Sequence, residues 1–480
     1  MTLDLPDFAP VLPELVVMLM ACAILVIDLF LPQERRHITY GLAQFTLLGT
    51  LALILVMATP EPRITFGGSY VADPLSDLLK STVLALSAVV FLYSRPYLQD
   101  RELYKGEFFV LGLFGILGMM VMISAHSLLT LYLGLELLAL SLYALVAFNR
   151  DASVAAESAM KYFVLGSIAS GMLLYGMSLL FGITGSLNLT EVAAGIAAGI
   201  TSPDLNLALI FALSFVVVGI GFKLGAVPFH MWIPDVYHGA PTPVALFISA
   251  APKIAGFAIA VRLLADGLAP LQESWSGMLM VLAVLSLVTG NVVAIAQTNI
   301  KRMFAYSTIA HIGFVVMGLM VGNEQGYAAA MFYVIVYALM SAGGFGMIVL
   351  LSRKGFEADH LEDFKGLNDR SPWFAFIMLL IMFSMAGIPP TVGFYAKLAV
   401  LQSVIRADML WLALYAVILS VIGAFYYLRV VKFMYFDQPT DEAPLTRTGD
   451  FGVVLSLNGL AMIALGLFPG LLMSLTVAVR

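Results

Sequence analysis

Charge is scarce in this chain. Only 11% of its 480 residues are Asp, Glu, Lys or Arg, while 61% are hydrophobic; a soluble domain carries roughly 25% charged residues. Cysteine is scarcer still, with Cys22 alone in an apolar run. A single cysteine excludes an internal disulfide, a four-cysteine iron–sulfur cluster and a cysteine zinc site. Cys22 itself reads as a small buried hydrophobe. There is no basic patch or stripe, which excludes nucleic acid as a natural partner. The first apolar run follows Asp4, Asp7 and Glu14 and lacks a basic leader, so it reads as a retained span and not a cleaved signal.

What is present is long apolar sequence, with a mean hydropathy of +0.98. A helix needs about 20 mostly apolar residues to cross a bilayer. On that rule about fourteen spans are expected, at 10–31, 38–58, 73–94, 107–124, 127–149, 155–182, 207–238, 242–265, 277–297, 300–321, 327–351, 372–405, 408–435 and 450–476. The seventh and twelfth are broken by proline. The runs are continuous and not alternating, so the fold class is an all-α polytopic membrane protein and not a β-barrel. Basic residues gather after odd-numbered spans: Arg35, Arg36, Arg95, Arg101, Lys105, Arg150, Lys301, Arg302, Arg353, Lys354, Lys365, Arg370, Lys432 and Arg447. The other loops hold little beyond Arg63, Arg262, Arg406 and Arg480. The positive-inside rule then puts both termini outside. The segment 184–202 reads as an exterior loop with room for a short helix. The glycine rows Gly112-x-x-Gly115-x-x-Gly118 and Gly343-Gly344-x-Gly346 read as close helix packing.

One stretch departs from the apolar background. Phe222 to Lys253 holds two lysines, two histidines, one aspartate and five prolines between apolar runs. An ionised lysine in mid-membrane is costly and normally faces a bundle interior or wet cavity. Proline breaks the helix ladder, which lipid cannot repair. Lys223 precedes the break Gly225-Ala226-Val227-Pro228, His230 follows it, and Lys253 lies within the next run. The break resembles Ala386-Gly387-Ile388-Pro389 in span twelve, five spans later. Paired broken helices are the mark of inverted-repeat transporters. The chain then divides into a three-helix segment (1–106), two inverted five-helix units (107–265 and 266–435) and a C-terminal helix (436–480).

The isolated polar groups follow this division. Glu136 is central in its span and cannot snorkel; it needs a partner across helices, with Lys223 the obvious one, or it is a protonated structural carboxyl. Lys253 is central and isolated. His311 is central too, and reads either as a relay or as a satisfied packing histidine. Lys397 lies on the second half of span twelve, within snorkelling reach of the outer face. His230 sits near the inner face. Lys161 has Glu157 four residues before it, so an ordinary helix pair competes with a functional role. Lys80, near Asp77, reads as snorkelling, and Asp28 as a boundary anchor beside Arg35 and Arg36. No acyl-transfer triad, metal cage or phosphate loop is visible. A chain of single protonatable groups fits a proton or small-cation path better than chemistry on an organic substrate.

Three stretches carry a family resemblance: PFHMWIPDVYHGAPTPVALFISAAPKIAGF, KRMFAYSTIAHIGF and SMAGIPPTVGFYAKLAVLQ. They closely resemble the antiporter-like membrane subunits of respiratory NADH:quinone oxidoreductase, complex I, over nearly the whole chain. The resemblance implies fourteen helices, two inverted units, and proton translocation coupled to quinone reduction elsewhere. It implies that Glu136 and Lys223 act as a pair, that Lys253 is the central helix-eight lysine, and that His311 links the halves. Lys397 matches the helix-twelve lysine and Lys161 a helix-six lysine. Lysine at 397 departs from the M-type members, which usually have glutamate there; the pattern looks like the N-type branch. No cofactor is expected in this chain: NADH, flavin mononucleotide, iron–sulfur clusters and quinone would bind partner subunits. Neighbours would be M-like and K-like subunits and the lateral helix of an L-like one, in a bacterial plasma membrane. Two other readings stay open. One is a subunit of a Na⁺ or K⁺/proton antiporter; the other is a purely structural anchor.

Overall fold

The computed structural model describes residues 6–58, 60–199, 203–439, 443, 445 and 449–478. Asp4, Arg447, Arg480 and the end of the 184–202 segment lie outside the described residues. Helix is the one open-ended way for an apolar run to satisfy its own backbone in lipid, and it dominates here. α1 (Leu12–Asp28) and α2 (His37–Met57) come first. A small hairpin then pairs β1 (Arg63–Thr65) with β2 (Tyr70–Ala72), antiparallel, with Ile64 opposite Val71. α3 (Pro74–Asp100) begins with a capping box in which Asp73 accepts from the Ser76 N–H. α4 (Gly106–Ile123), α5 (Leu128–Val146) and α6 (Ser153–Thr184) follow, then the short α7 (Leu189–Gly199).

Span seven is α8 (Pro203–Leu224) and α9 (Trp232–Gly239), separated by the expected break. Span eight, expected unbroken, is also interrupted. α10 (Thr242–Ser249) gives way at Ala250 to α11 (Ala251–Ala260), and a π-helical turn, Val261–Gly267, completes it. Pro252 supplies the reason, since it lacks an N–H and its ring crowds the carbonyl four residues earlier. α12 (Gln272–Ile295), α13 (Ile300–Met320) and α14 (Glu324–Leu351) are long and regular. After the one-turn α15 (Leu367–Arg370), span twelve is split into α16 (Pro372–Ala386) and α17 (Val392–Arg406). α18 (Leu410–Phe436), α19 (Asp450–Leu467) and α20 (Gly470–Ala478) end the described chain. Span fourteen therefore closes at Leu467, nine residues short of the expected 476, at a turn before Pro469. Thirteen helices among the described residues are long and apolar enough to cross a membrane; the expected span twelve is not one of them, because its two pieces, α16 and α17, have 15 residues each.

Two features recur in both halves. A Cβ on Gly118 of α4 would lie 2.6 Å from the Leu138 nitrogen of α5, and one on Gly290 of α12 would lie 2.5 Å from the Ala310 nitrogen of α13. These are the backbone-to-backbone contacts that only glycine permits. Gly225 and Gly387 hold the left-handed region at φ +85° and +82° and end α8 and α16. They place Gly225 against Gly387, one residue on from the expected match with Ala386. The Val227–Pro228 and Pro389–Pro390 bonds beyond them are both cis.

Three spans form the interior. The apolar windows of α13 and α14 are 94% buried and that of Thr242–Gly267 is 100% buried, while α1 and α2 are at 28%. Cys22, expected to be buried, faces outward from α1. Lys80, expected to snorkel, is buried and meets Glu14 of α1 at 2.5 Å and the Tyr70 hydroxyl at 2.9 Å. Asp28 accepts from Thr39 at 2.6 Å, and Arg36 turns instead to Glu107.

Candidate functional site

The end of α8 leaves carbonyls without helix partners, in surroundings where orphan acceptors are costly. Two side chains fill the need. Trp232 donates its indole N–H to the Phe222 carbonyl at 3.0 Å, and Lys253 donates its ammonium to the Leu224 carbonyl at 3.2 Å. On the far side of the break, the Val227 N–H reaches the Ser286 hydroxyl at 2.9 Å. A cation at a helix C-terminus is also favoured by the helix dipole. Lys253 is 1% exposed and sits 5.0 Å from the centre of the Trp232 ring, which stacks on Tyr162.

The second break repeats this arrangement with a different helix. The Lys397 ammonium donates to the Ala386 carbonyl at 2.8 Å and to the Ser420 hydroxyl at 2.7 Å. Its position on α17, two turns past the break, points it back at the end of α16. It does not snorkel to the outer face. Ser384 accepts from the Gly393 N–H at 3.1 Å. Each break thus holds a lysine ammonium on the carbonyl end of its first half.

His311 lies between two phenols on the buried α13. Its Nδ1 is 2.8 Å from the Tyr333 hydroxyl and its Nε2 is 3.0 Å from that of Tyr427. Tyr427 in turn contacts the Ser307 hydroxyl, and Thr308 pairs with Tyr337 at 2.7 Å. Hydroxyls donate or accept by rotation. The ring can therefore carry its proton on either nitrogen without moving.

The candidate groups sort into two cavities. Lys223 and Lys253 line one, with Tyr162 and Trp232. His311 and Lys397 line the other, with Asn291, Ser420 and Tyr427. Lys397 also lines a larger, mostly apolar cavity between α17 and α18, beside Leu401, Val417 and Val421. Glu136 makes no ion pair to Lys223 among the described residues, and its Oε1 is buried without a partner. Lys161 stands apart from both cavities. It is half-exposed, paired with Glu157 at 2.7 Å and Asp235 at 3.0 Å. His230 lies in the break itself, half-buried, outside both sets of lining residues, with its Nδ1 unpartnered.

Comparison with known proteins places this arrangement. Residues 125–423 match the family model of the NADH:quinone oxidoreductase/Mrp antiporter transmembrane region. The chain is 70% identical to NADH-quinone oxidoreductase subunit N of Thioalkalivibrio sulfidiphilus, covering 99% of this chain and 98% of the relative. It belongs to the NADH-quinone oxidoreductase subunit N family. The subunit N of Thiobacillus denitrificans is 59% identical, over 99% of this chain and 98% of that one. Among solved structures, a chain of respiratory complex I from Thermus thermophilus, solved with bound aureothin, superposes with a TM-score of 0.83. That chain is 31% identical, and the match covers 98% of this chain and all of that one.

For a subunit N chain, several polar groups escape a reading of sequence. Tyr333 and Tyr427 look like ordinary apolar-helix aromatics; only the fold sets them on His311. Arg262, assigned above to an exterior loop, is buried in the π-helical turn. It pairs with Asp73 at 2.8 Å and Asp266 at 3.3 Å and donates to the Ile123 carbonyl at 3.1 Å. Asp266, four residues on, was the available signal. Glu357 gathers Arg101, Tyr97 and Thr242, a cluster drawn from three segments far apart in sequence.

Proposed function

We propose that this chain moves protons across the membrane as a subunit of an NADH:quinone oxidoreductase, through a relay of Glu136, Lys223, Lys253, His311 and Lys397. The observation that carries the reading is the division of four basic groups between two buried cavities, Lys223 with Lys253 and His311 with Lys397. A relay needs groups that exist both charged and neutral. Burial disfavours an ammonium and a nearby carboxylate restores it, and that is the part this reading gives Glu136 toward Lys223. In this reading a proton from the inner side reaches Lys223, passes to Lys253, crosses through water to His311, and leaves by Lys397 toward the outer side. The Tyr333–His311–Tyr427 series gives the middle step a hydroxyl partner on each ring nitrogen, one to deliver a proton and one to receive it. Lys161 and His230 belong to the inner approach.

The same reading places two inverted five-helix units in a bacterial plasma membrane, with both termini outside. M-like and K-like subunits are neighbours and the lateral helix of an L-like subunit runs alongside. NADH, flavin mononucleotide, iron–sulfur clusters and quinone are bound by partner subunits. The translocase chemistry of this chain is proton transfer alone.

The test is NADH-driven acidification of inverted membrane vesicles carrying Lys223→Ala, with quinone reductase activity and assembly followed in parallel. Loss of acidification in an assembled complex is expected. Unchanged protons per NADH would overturn the relay and turn attention to Na⁺- or K⁺-dependent exchange.

A further inference from the structure

Asp235 sits one turn into α9, three residues after Trp232. Its two oxygens hold cations from different parts of the chain. Oδ2 meets Lys161 of α6 at 3.0 Å, and Oδ1 meets Arg302 of α13 at 3.0 Å. The Asp235 carbonyl accepts from Ser158 of α6 at 3.0 Å. The end of α9 is held from the same direction as its start, since Lys301 of α13 donates to the Ala240 carbonyl at 3.2 Å. An eight-residue helix is too short to stay formed on its own, so these contacts and its packing must hold it.

The same side of this helix, one turn earlier, walls the first cavity, because residues three apart in a helix are neighbours. Trp232 stacks on Tyr162 with ring centres 4.6 Å apart and faces the Lys253 ammonium. α13, which grips α9 through Lys301 and Arg302, carries His311 three turns on. α9 therefore touches both cavities' frameworks: its tryptophan faces Lys253, and its aspartate is fastened to the helix of His311.

We propose that Asp235 is a positioning residue that pins α9 between α6 and α13, so that Trp232 is held against Lys253 in register with the helix that carries His311. This rests on the relay reading above. It also gives Lys161, on the inner approach, a second part as one of the two cations that seat Asp235. The carboxylate suits the task because it accepts from two donors at once, whereas an amide offers one acceptor oxygen. Small displacements in a relay have large kinetic effects, since transfer depends on distance and alignment.

The experiment uses the whole complex in inverted vesicles and compares Asp235→Asn, Asp235→Glu and Lys253→Ala. Assembly is measured on native gels and coupled turnover by NADH-driven acidification. Asp235→Asn should lower coupled turnover about tenfold in assembled complex, and Asp235→Glu, which keeps two charged acceptors, should restore most of it. Wild-type turnover in Asp235→Asn, or equal loss in Asn and Glu, overturns the proposal. Should Asp235→Asn fail to assemble, Arg302→Gln decides the matter: it removes one of the two cations without touching a relay group and should slow turnover, and a wild-type rate overturns the proposal. Normal pumping in Lys253→Ala brings down the relay reading, and this proposal with it. Loss in Lys253→Ala with wild-type behaviour in Asp235→Asn brings down this proposal alone.

Discussion

Lys253 caps Leu224: its ammonium lies 3.2 Å from the last carbonyl of α8, across a break made by Gly225. One side chain is thus both a structural plug and the central base of the proposed path. The two roles are separable. Lys253→Arg keeps a cation and donors for the Leu224 carbonyl but cannot release its proton at usable pH. The complex should assemble with Lys253→Arg yet fail to acidify inverted vesicles, while Lys253→Met should impair both. Normal acidification with arginine would show that this group never gives up its proton.

The phenols on His311 should behave as a pair. Tyr427→Phe or Tyr333→Phe leaves one ring nitrogen buried without a partner, at a cost of about 1–3 kcal/mol. Each single change should slow acidification while leaving assembly intact. With both phenols removed, the ring loses its hydroxyl contacts on either side, and acidification should fall to the level of His311→Ala. Rates in the double variant equal to wild type would remove the hydroxyls from the path.

Lys80 and Glu14 form an ion pair with side chains only 2% and 4% exposed. Removing one partner strands the other charge, which in comparable pairs costs about 3–5 kcal/mol, whereas replacing both with apolar groups is often neutral. Lys80→Met should therefore lower the thermal stability of the assembled complex markedly, and Lys80→Met with Glu14→Leu should recover it. Persistent loss in the double variant, with normal stability in the single, would reverse the assignment and make Lys80 functional.

Two glycines offer a controlled contrast. Gly225 sits at φ +85°, and a Cβ there would lie 2.0 Å from the Ile233 side chain. Gly171 of α6 has nothing within 4 Å of the same position. Left-handed backbone costs a residue with a side chain roughly 1–2 kcal/mol before any clash, while Gly→Ala in an open helix gains up to about 1 kcal/mol. Gly225→Ala should reduce assembly, and Gly171→Ala should match or exceed wild type, as read from complex recovered per milligram of membrane.

Much of this was legible in the chain itself. The spans announce themselves by length, and the breaks at Gly225 and Gly387 by proline beside glycine, because lipid forbids a free backbone and few residues turn a helix that sharply. Lys253, His311 and Lys397 stood out because an isolated polar group in an apolar run has no local explanation. What escaped was whatever depends on tertiary approach. Glu14 finds Lys80 across helices, and Tyr333 and Tyr427 find His311 in the same way. Pro252 was in view, yet one proline in an apolar run does not say whether the helix bends or parts. The hairpin around Tyr70 has strands of three residues each, too short to carry a periodic signal.

The burial of the inner spans has an electrical consequence. Thr242–Gly267, α13 and α14 are enclosed almost wholly by protein, whereas α1, α2 and α18 keep most of their surface on the outside of the bundle. Lys253 and His311, which two of these spans carry, therefore keep the same protein dielectric around them whatever lies outside the bundle. Changes of acyl-chain length or headgroup would act on the outer helices and reach these two side chains only by deforming them.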